Sequence, residues 1–334
     1  MPRAVPHSRE AATVTAAAEP IYQARQESRS RWVMVRGIQY HVRTWGRAQD
    51  VTPERPALVL LHGWMDVAAS FQFVVDELMA LDATPRYIIA PDWRGFGWTH
   101  AGTTDSYWFA DYLGDLDQLL ASPELGLKAG VAIDLVGHSM GANVAMSYAG
   151  VRAERIRRLV NLEGFGMPQS TPDQAPVRLR QWLDELQQPA TMHSYREVSS
   201  VAARLSKNNP RLTAPRAAWL ASHWSRRDED GRWHILGDAA HKRISPLLYR
   251  KDEVLACWQA ITAPVLWVDG AASTIPASWG ERYPAGELEQ RLAVIARLRR
   301  ERLPHSGHML HHDQPEALAA LLLDHLSEQP PAAA

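Results

Sequence analysis

The chain has 334 residues, a formal net charge of −1 and one cysteine, Cys257. A near-neutral chain without a basic stripe gives nucleic acid nothing to bind by counter-charge, and one cysteine excludes an internal disulfide framework. With 46% apolar and 22% charged residues, the balance is that of a soluble globular protein, long enough for one large α/β domain or two smaller ones.

Residues 1–30 are rich in Ala, Arg, Glu and Ser, and their longest apolar piece is broken by Thr13 and Thr15. A secretory signal needs an unbroken apolar segment, so this stretch reads as a loosely ordered arm. No run of apolar residues is long enough to span a bilayer, and a cytoplasmic location, where a lone thiol stays reduced, is expected. Residues 31–45 alternate apolar and polar around Gly37, as a β-hairpin does. Residues 56–61 and 87–90 are short continuous apolar runs, the pattern of strands buried on both faces. The first ends in His62-Gly63-Trp64 and the second in Asp92-Trp93-Arg94-Gly95-Phe96-Gly97. Apolar residues at helical spacing fill 70–81 and 107–120.

A third buried strand is read at 131–137, a helix at 140–150 and a strand at 158–162. Between strand and helix lies Gly137-His138-Ser139-Met140-Gly141. Strand, sharp turn and helix in that order form an elbow that holds Ser139 out at the carboxyl end of the sheet, with glycines where a Cβ would collide with neighbouring elements. Ser139 is therefore the candidate nucleophile. From residue 167 to about 260 the alternation stops: helices are expected at 177–188, 195–206 and 214–225, with no convincing buried strand, and tryptophans recur at 182, 219, 224, 233 and 258. Those rings read mainly as the core of a helical cap, with one or two reaching a ligand. The sheet pattern resumes at 264–268, followed by a helix at 286–298, a short strand near 302–303, the loop Pro304-His305-Ser306-Gly307-His308-Met309 and a last helix at 314–326. Residues 329–334 read as a frayed tail.

Four pieces in this order, the His62-Gly63-Trp64 turn, the Asp92 to Gly97 turn, the Ser139 elbow and Ser306-Gly307-His308, resemble the α/β-hydrolase family over residues 31–327. The resemblance implies an α/β fold: a mostly parallel, doubly wound sheet of about eight strands with an inserted helical cap. It divides the chain into an arm (1–30), a core (31–166 and 261–328), a cap (167–260) and a tail (329–334). It also implies that His308 is the base for Ser139, and that the backbone N–H groups of Trp64 and Met140 form the oxyanion hole.

The acid that would orient His308 has two candidates. The family's usual position follows the strand at 264–268, but Ser273 stands where an aspartate is expected. Glu163, at the end of the preceding strand, resembles the relocated acid of one group of haloalkane dehalogenases and is the first choice. Asp269 is the alternative. His62, Asp92 and Arg94 read as structural residues that fix their loops. His305, His311 and His312 read as solvated loop or helix-start residues, a zinc site built from them leaving Ser139 without a purpose.

Dehalogenases and epoxide hydrolases of this fold use an aspartate at the elbow to attack sp3 carbon, and a serine there implies attack on a carbonyl instead. The expected function is a serine hydrolase that cleaves a partly apolar small-molecule carboxylic ester through an acyl-enzyme, with no cofactor, no metal and no nucleic-acid partner. The alternatives are an amide, a lactone or a carbon–carbon bond next to a carbonyl, cleaved by the same residues. A non-catalytic binding protein of the same fold is the reading from another class, for which Ser273 speaks and against which Ser139 and His308 speak.

Overall fold

The computed structural model describes residues 20–84 and 86–328. Most of the expected arm and the expected tail lie outside the described residues. Residues 20–28 carry no helix or strand, yet they are fastened: Asp76 accepts the Arg25 and Gln26 backbone N–H groups, both at 2.9 Å, and the Tyr22 hydroxyl. This part of the chain is docked, where composition alone suggests a loose arm.

The hairpin forms as its alternation dictates, from β1 (Arg29–Val35) and β2 (Ile38–Trp45). Its two turn residues, Arg36 and Gly37, both have positive φ, the backbone that matches the right-handed twist of the flanking strands. Then follow β3 (Leu58–Leu61), α1 (Gln72–Leu81), β4 (Ile88–Pro91), α2 (Phe109–Ala121), β5 (Ile133–His138), α3 (Met140–Val151) and β6 (Ile156–Leu162). Every residue of β3, β4 and β5 is buried, the burial that continuous apolar runs predict.

After β6 the chain leaves the sheet. It forms α4 (Ala175–Leu186), β7 (Ser194–Tyr195), α5 (Val198–Asn208), α6 (Ala214–Trp224), β8 (Ser225–Arg227), β9 (Trp233–Ile235) and α7 (Lys251–Gln259). The three short strands pair antiparallel in the order β7-β9-β8. A helical insertion with no convincing buried strand was expected; strands of two or three residues are too short to show a period of two. The chain returns through β10 (Val265–Gly270), α8 (Ile275–Ser278), α9 (Glu287–Leu292), β11 (Leu298–Leu303), α10 (Leu310–Asp313) and α11 (Pro315–Ser327). The expected long helix at 286–298 is thus only α9, and β11 is longer than expected. Arg299, Arg300, Glu301 and Arg302 hide it in the sequence, because it is an edge strand whose charges face water and carboxylates such as Asp269 and Asp324.

The main sheet has eight strands in the order β1-β2-β4-β3-β5-β6-β10-β11, parallel from β4 to β11. One face is covered by α2, α3 and α7, with Leu116, Leu119, Val144, Met146 and Trp258 in the packing, and the other by α1 and α11, with Phe71, Val75, Leu318 and Leu322. A third cluster ties the insertion to the sheet body: Val201, Leu205, Leu220 and Trp224 pack on Val67 and Phe73.

Two features of this core have measurable consequences. First, α3 approaches β3 so closely that a Cβ on Gly141 would lie 2.2 Å from the Leu61 carbonyl oxygen, whereas one on Gly130, at φ +72°, would meet nothing within 4 Å. Gly141→Ala should therefore lose about 3 kcal/mol or fail to fold, by overpacking against backbone that cannot yield. Gly130→Ala should lose only about 1–2 kcal/mol, from its left-handed backbone. Urea unfolding of the two variants separates these cases, and equal losses would refute the close approach.

Second, His312 and His325 are buried. Burial, helped by the neighbouring His311, pushes His312 down to about 3, and burial, helped by Arg158, pushes His325 down to about 4. A base whose folded pKa lies below its unfolded value of about 6.5 takes up its proton only on unfolding, so the folded state loses stability as pH falls below 6.5. These two histidines together should lower the unfolding free energy by roughly 2 kcal/mol between pH 7 and pH 5.5, so that urea unfolding of His325→Gln should show a drop shallower than wild type by roughly 1 kcal/mol, and an equal drop would refute it.

Candidate active site

The elbow begins where β5 runs into α3. Ser139 sits at φ +50° and ψ −113°, a left-handed backbone that a side chain rarely adopts and that tertiary contacts must hold. Its N–H donates to the Leu162 carbonyl at 2.9 Å, and its carbonyl accepts the Asn143 N–H at 3.0 Å, so β6 and α3 both grip the turn. A Cβ on Gly137 would lie 2.4 Å from the Ala142 Cα, and one on Gly63 would lie 3.2 Å from the Ser139 Cβ. The His62-Gly63-Trp64 turn therefore presses directly on the elbow. His62 serves that turn: its Nδ1 lies 2.7 Å from the Gly63 carbonyl and its Nε2 accepts the Trp93 N–H at 2.9 Å. Asp92 likewise accepts the backbone N–H groups of Ala68 at 2.7 Å and Trp98 at 3.0 Å. Arg94 is clamped on the carboxylate of Asp115, so these motif residues act as loop fasteners.

Glu163 is the first residue after β6 and has φ +59°. Its side chain is buried, with one oxygen accepting the Gly270 N–H at 2.7 Å and the other 3.1 Å from His308 Nδ1. Ser273, the residue standing where an aspartate was expected, donates its hydroxyl to the same oxygen that faces His308. Asp269, the alternative acid, is engaged elsewhere: it accepts Trp267 Nε1 at 2.6 Å and Arg300 Nε at 2.8 Å. Both acids stand at the ends of neighbouring strands, β6 and β10, and side-chain direction separates them. Asp269 belongs to β10 and its carboxylate turns toward β11. Glu163 follows the last residue of β6, where the left-handed backbone turns the carboxylate toward the loop after β11.

That loop is braced from three sides. Gly307 N–H donates to Asp313 at 2.7 Å, Ala272 N–H donates to the Ser306 carbonyl at 2.8 Å, and the His308 carbonyl lies 2.8 Å from His138 Nε2. A carbonyl can only accept, so His138 carries its proton on Nε2. Its Nδ1 is buried without a hydrogen-bond partner among the described residues, and burial drives its pKa well below the ordinary histidine value.

His311 and His312 are a correction to the sequence reading: both are buried, the one tilted against Phe71 and the other edge-on to Phe73, because α10 turns them inward. His305 is exposed on its loop. The residues that could hold a metal ion are Asp66, His138 and His311, whose donor atoms lie within 4.8 Å of one another. His311 Nε2 and Asp66 Oδ2, 3.5 Å apart, have the spacing of two ligands on one tetrahedral ion with bonds of about 2.0–2.2 Å. The other Asp66 oxygen already accepts from Val67, Ser70 and Trp224. The bond from His138 Nε2 to the His308 carbonyl leaves Nδ1 as the His138 ring nitrogen with a free lone pair.

Beside the elbow, Trp64, Met140 and Asn143 form one wall of a cavity of about 980 Å³. The opposite wall comes from the insertion, including Leu179, His241, Leu248 and Tyr249. Tyr107 and Trp108, from the loop before α2, also line it, whereas none of the five tryptophans singled out in the insertion does. Those rings are used in packing and bonding: Trp224 Nε1 donates to Asp66 at 3.1 Å, Trp182 Nε1 donates to Ser106 at 2.8 Å, and Trp258 is buried against Trp267. Tyr107 and Trp108 precede a helix whose periodicity conceals them, and no pattern in the sequence marks them. His241 is stacked between Phe96 and Tyr107, at 3.8 and 3.5 Å between ring centres.

The model of the Alpha/beta hydrolase family matches residues 58–321. The chain is 24% identical over 323 residues to a serine hydrolase-like protein of Dictyostelium discoideum, covering 88% of this chain and 80% of that one. It is 34% identical to epoxide hydrolase 2 of Siraitia grosvenorii over 131 residues, 39% of this chain and 37% of that one. Among solved structures, the thioesterase domain from the curacin biosynthetic pathway superposes with a TM-score of 0.72 at 26% identity, over 89% of this chain and 99% of that one. Sheet order, elbow and family match agree, and the chain belongs to the alpha/beta hydrolase family.

Proposed function

We propose that this hydrolase cleaves a carboxylic ester through an acyl-enzyme, with Ser139 as nucleophile, His308 as base and Glu163 as the acid that orients His308. The observation that carries the reading is the buried Glu163 carboxylate, 3.1 Å from His308 Nδ1, with its other oxygen tied to the Gly270 N–H. A carboxylate at Nδ1 holds the proton there and leaves Nε2 free as the base. In this reading Nε2 takes the Ser139 hydroxyl proton as Oγ bonds to the ester carbonyl carbon. The N–H groups of Met140, at the N-terminus of α3, and Trp64 receive the oxyanion. His308 then gives its proton to the departing alkoxide, the C–O bond breaks, and a water activated by the same Nε2 releases the acid and restores Ser139.

Ser139 also bears on the epoxide hydrolase likeness. Ring opening at an sp3 carbon by this fold calls for an elbow carboxylate, and a serine hydroxyl suits attack on an acyl carbon. A thioester, the bond that the curacin domain's name implies, would be attacked in the same way. Residues 167–260, as a cap, would shape the acyl site.

Hydrolysis of p-nitrophenyl esters tests the assignment. Ser139→Ala should lower kcat/KM by about 10⁴-fold or more, and Glu163→Gln by about 10³-fold or more. Asp269→Asn, if folded by circular dichroism, should stay within about tenfold of wild type, since its carboxylate serves Trp267 and Arg300. Full loss in Asp269→Asn with retention in Glu163→Gln would reverse the acids. A wild-type protein that neither turns over esters nor reacts with a fluorophosphonate would overturn the serine hydrolase reading.

A further inference from the structure

The cavity wall carries four arginines, Arg178, Arg243, Arg250 and Arg282, against one carboxylate, that of Glu253. Two of the four have acidic neighbours: Arg250 faces Glu253 at 3.9 Å and Arg243 faces Asp105 at 3.5 Å. Arg178, on α4, has none among the described residues. Its Nη1 donates to the Ser245 carbonyl at 3.1 Å, and its Nε is buried with no hydrogen-bond partner. Its Nη2 makes no hydrogen bond and no ion pair among the described residues and is the guanidinium nitrogen left for a ligand. Arg282 likewise makes no ion pair among them.

Apolar neighbours make this excess of charge informative. Leu179, Leu247, Leu248 and Val254 line the same cavity. A wholly apolar substrate would strip water from the guanidinium groups and return nothing, which is unfavourable for a charge left without a partner. A substrate with an apolar stretch and an anionic group would cover the leucines and meet the arginines together. We propose that the cavity contains an anion subsite centred on Arg178, within the positive field of Arg243 and Arg282, and that the substrates are esters bearing a carboxylate. The proposal rests on the acyl-enzyme reading for its chemistry, while the subsite itself is a matter of binding.

Three chromogenic esters of matched length test it: p-nitrophenyl octanoate, mono-p-nitrophenyl suberate, which adds a carboxylate to the acyl end, and 3-carboxy-4-nitrophenyl octanoate, which puts it on the leaving group. At low salt, wild type should favour one of the two anionic esters over the neutral one by about tenfold in kcat/KM, the size of one charge-assisted contact. Which one it favours tells whether the anion belongs to the acid or the alcohol part. The ratio should shrink at high salt, collapse toward one in Arg178→Gln and recover partly in Arg178→Lys. A wild-type preference for the neutral ester, or a ratio that Arg178→Gln leaves unchanged, would overturn the subsite. If no ester is turned over, the acyl-enzyme reading fails by itself. The subsite is then decided by quenching of tryptophan fluorescence: monomethyl suberate should bind more tightly than methyl octanoate to wild type and not to Arg178→Gln, and equal binding in wild type would refute it.

Discussion

The structure turns on the contact between α3 and the strands beneath its first turn. Helix and sheet meet there through Gly137 and Gly141, with no room for a Cβ on either. That contact allows Ser139 to be held at φ +50°, between the Leu162 carbonyl on one side and the Asn143 N–H on the other. A strained residue persists only where its neighbours over-determine it. The third pressure comes from Gly63, whose turn is fastened in turn by His62 to Trp93. Loosening any of these would let the elbow relax and the proposed nucleophile withdraw from the sheet edge.

From the elbow the site extends along the carboxyl ends of the parallel strands, where ligands of open α/β sheets bind. The neighbours β6 and β10 bring Glu163 and the segment 270–273 against the loop that carries His308. Gly270 and Ser273 both donate to Glu163, and one Glu163 oxygen faces His308. Where the family pattern leads one to expect an aspartate, a hydroxyl instead supports a carboxylate supplied from the next strand. Asp269, four residues before Ser273, is drawn away by Arg300 on β11, a partner visible only once the edge strand is in place.

The insertion is bound to the sheet body as part of its core. Trp224 reaches into the body to donate to Asp66, and Asn209 donates to Asp313, which in turn holds the Gly307 N–H. The loop bearing His308 is therefore braced by the insertion as well as by the sheet. The same insertion supplies the wall of the cavity that faces Trp64 and Met140 and carries its arginines. Movement of the insertion would change the cavity and this bracing together.

Sequence alone determined the buried parallel strands, the elbow at Ser139 and the break where the chain leaves the sheet, because each is local: apolar runs, glycines around a turn, and a break in the alternation of strand and helix. It also brought out Glu163 and His308 as a pair, through motifs whose spacing survives in the chain. Tertiary structure alone decided which carboxylate faces His308, since Glu163 and Asp269 differ in side-chain direction and partners rather than in residue type. It alone buried His311 and His312, which polarity had assigned to solvent, and docked residues 20–28 on Asp76. It also put Tyr107 and Trp108 on the cavity wall, where one or two tryptophans of the insertion were expected, and left those tryptophans in packing. Each of these depends on contacts between residues far apart in the chain, and no periodicity along a sequence records which distant neighbour a side chain will meet.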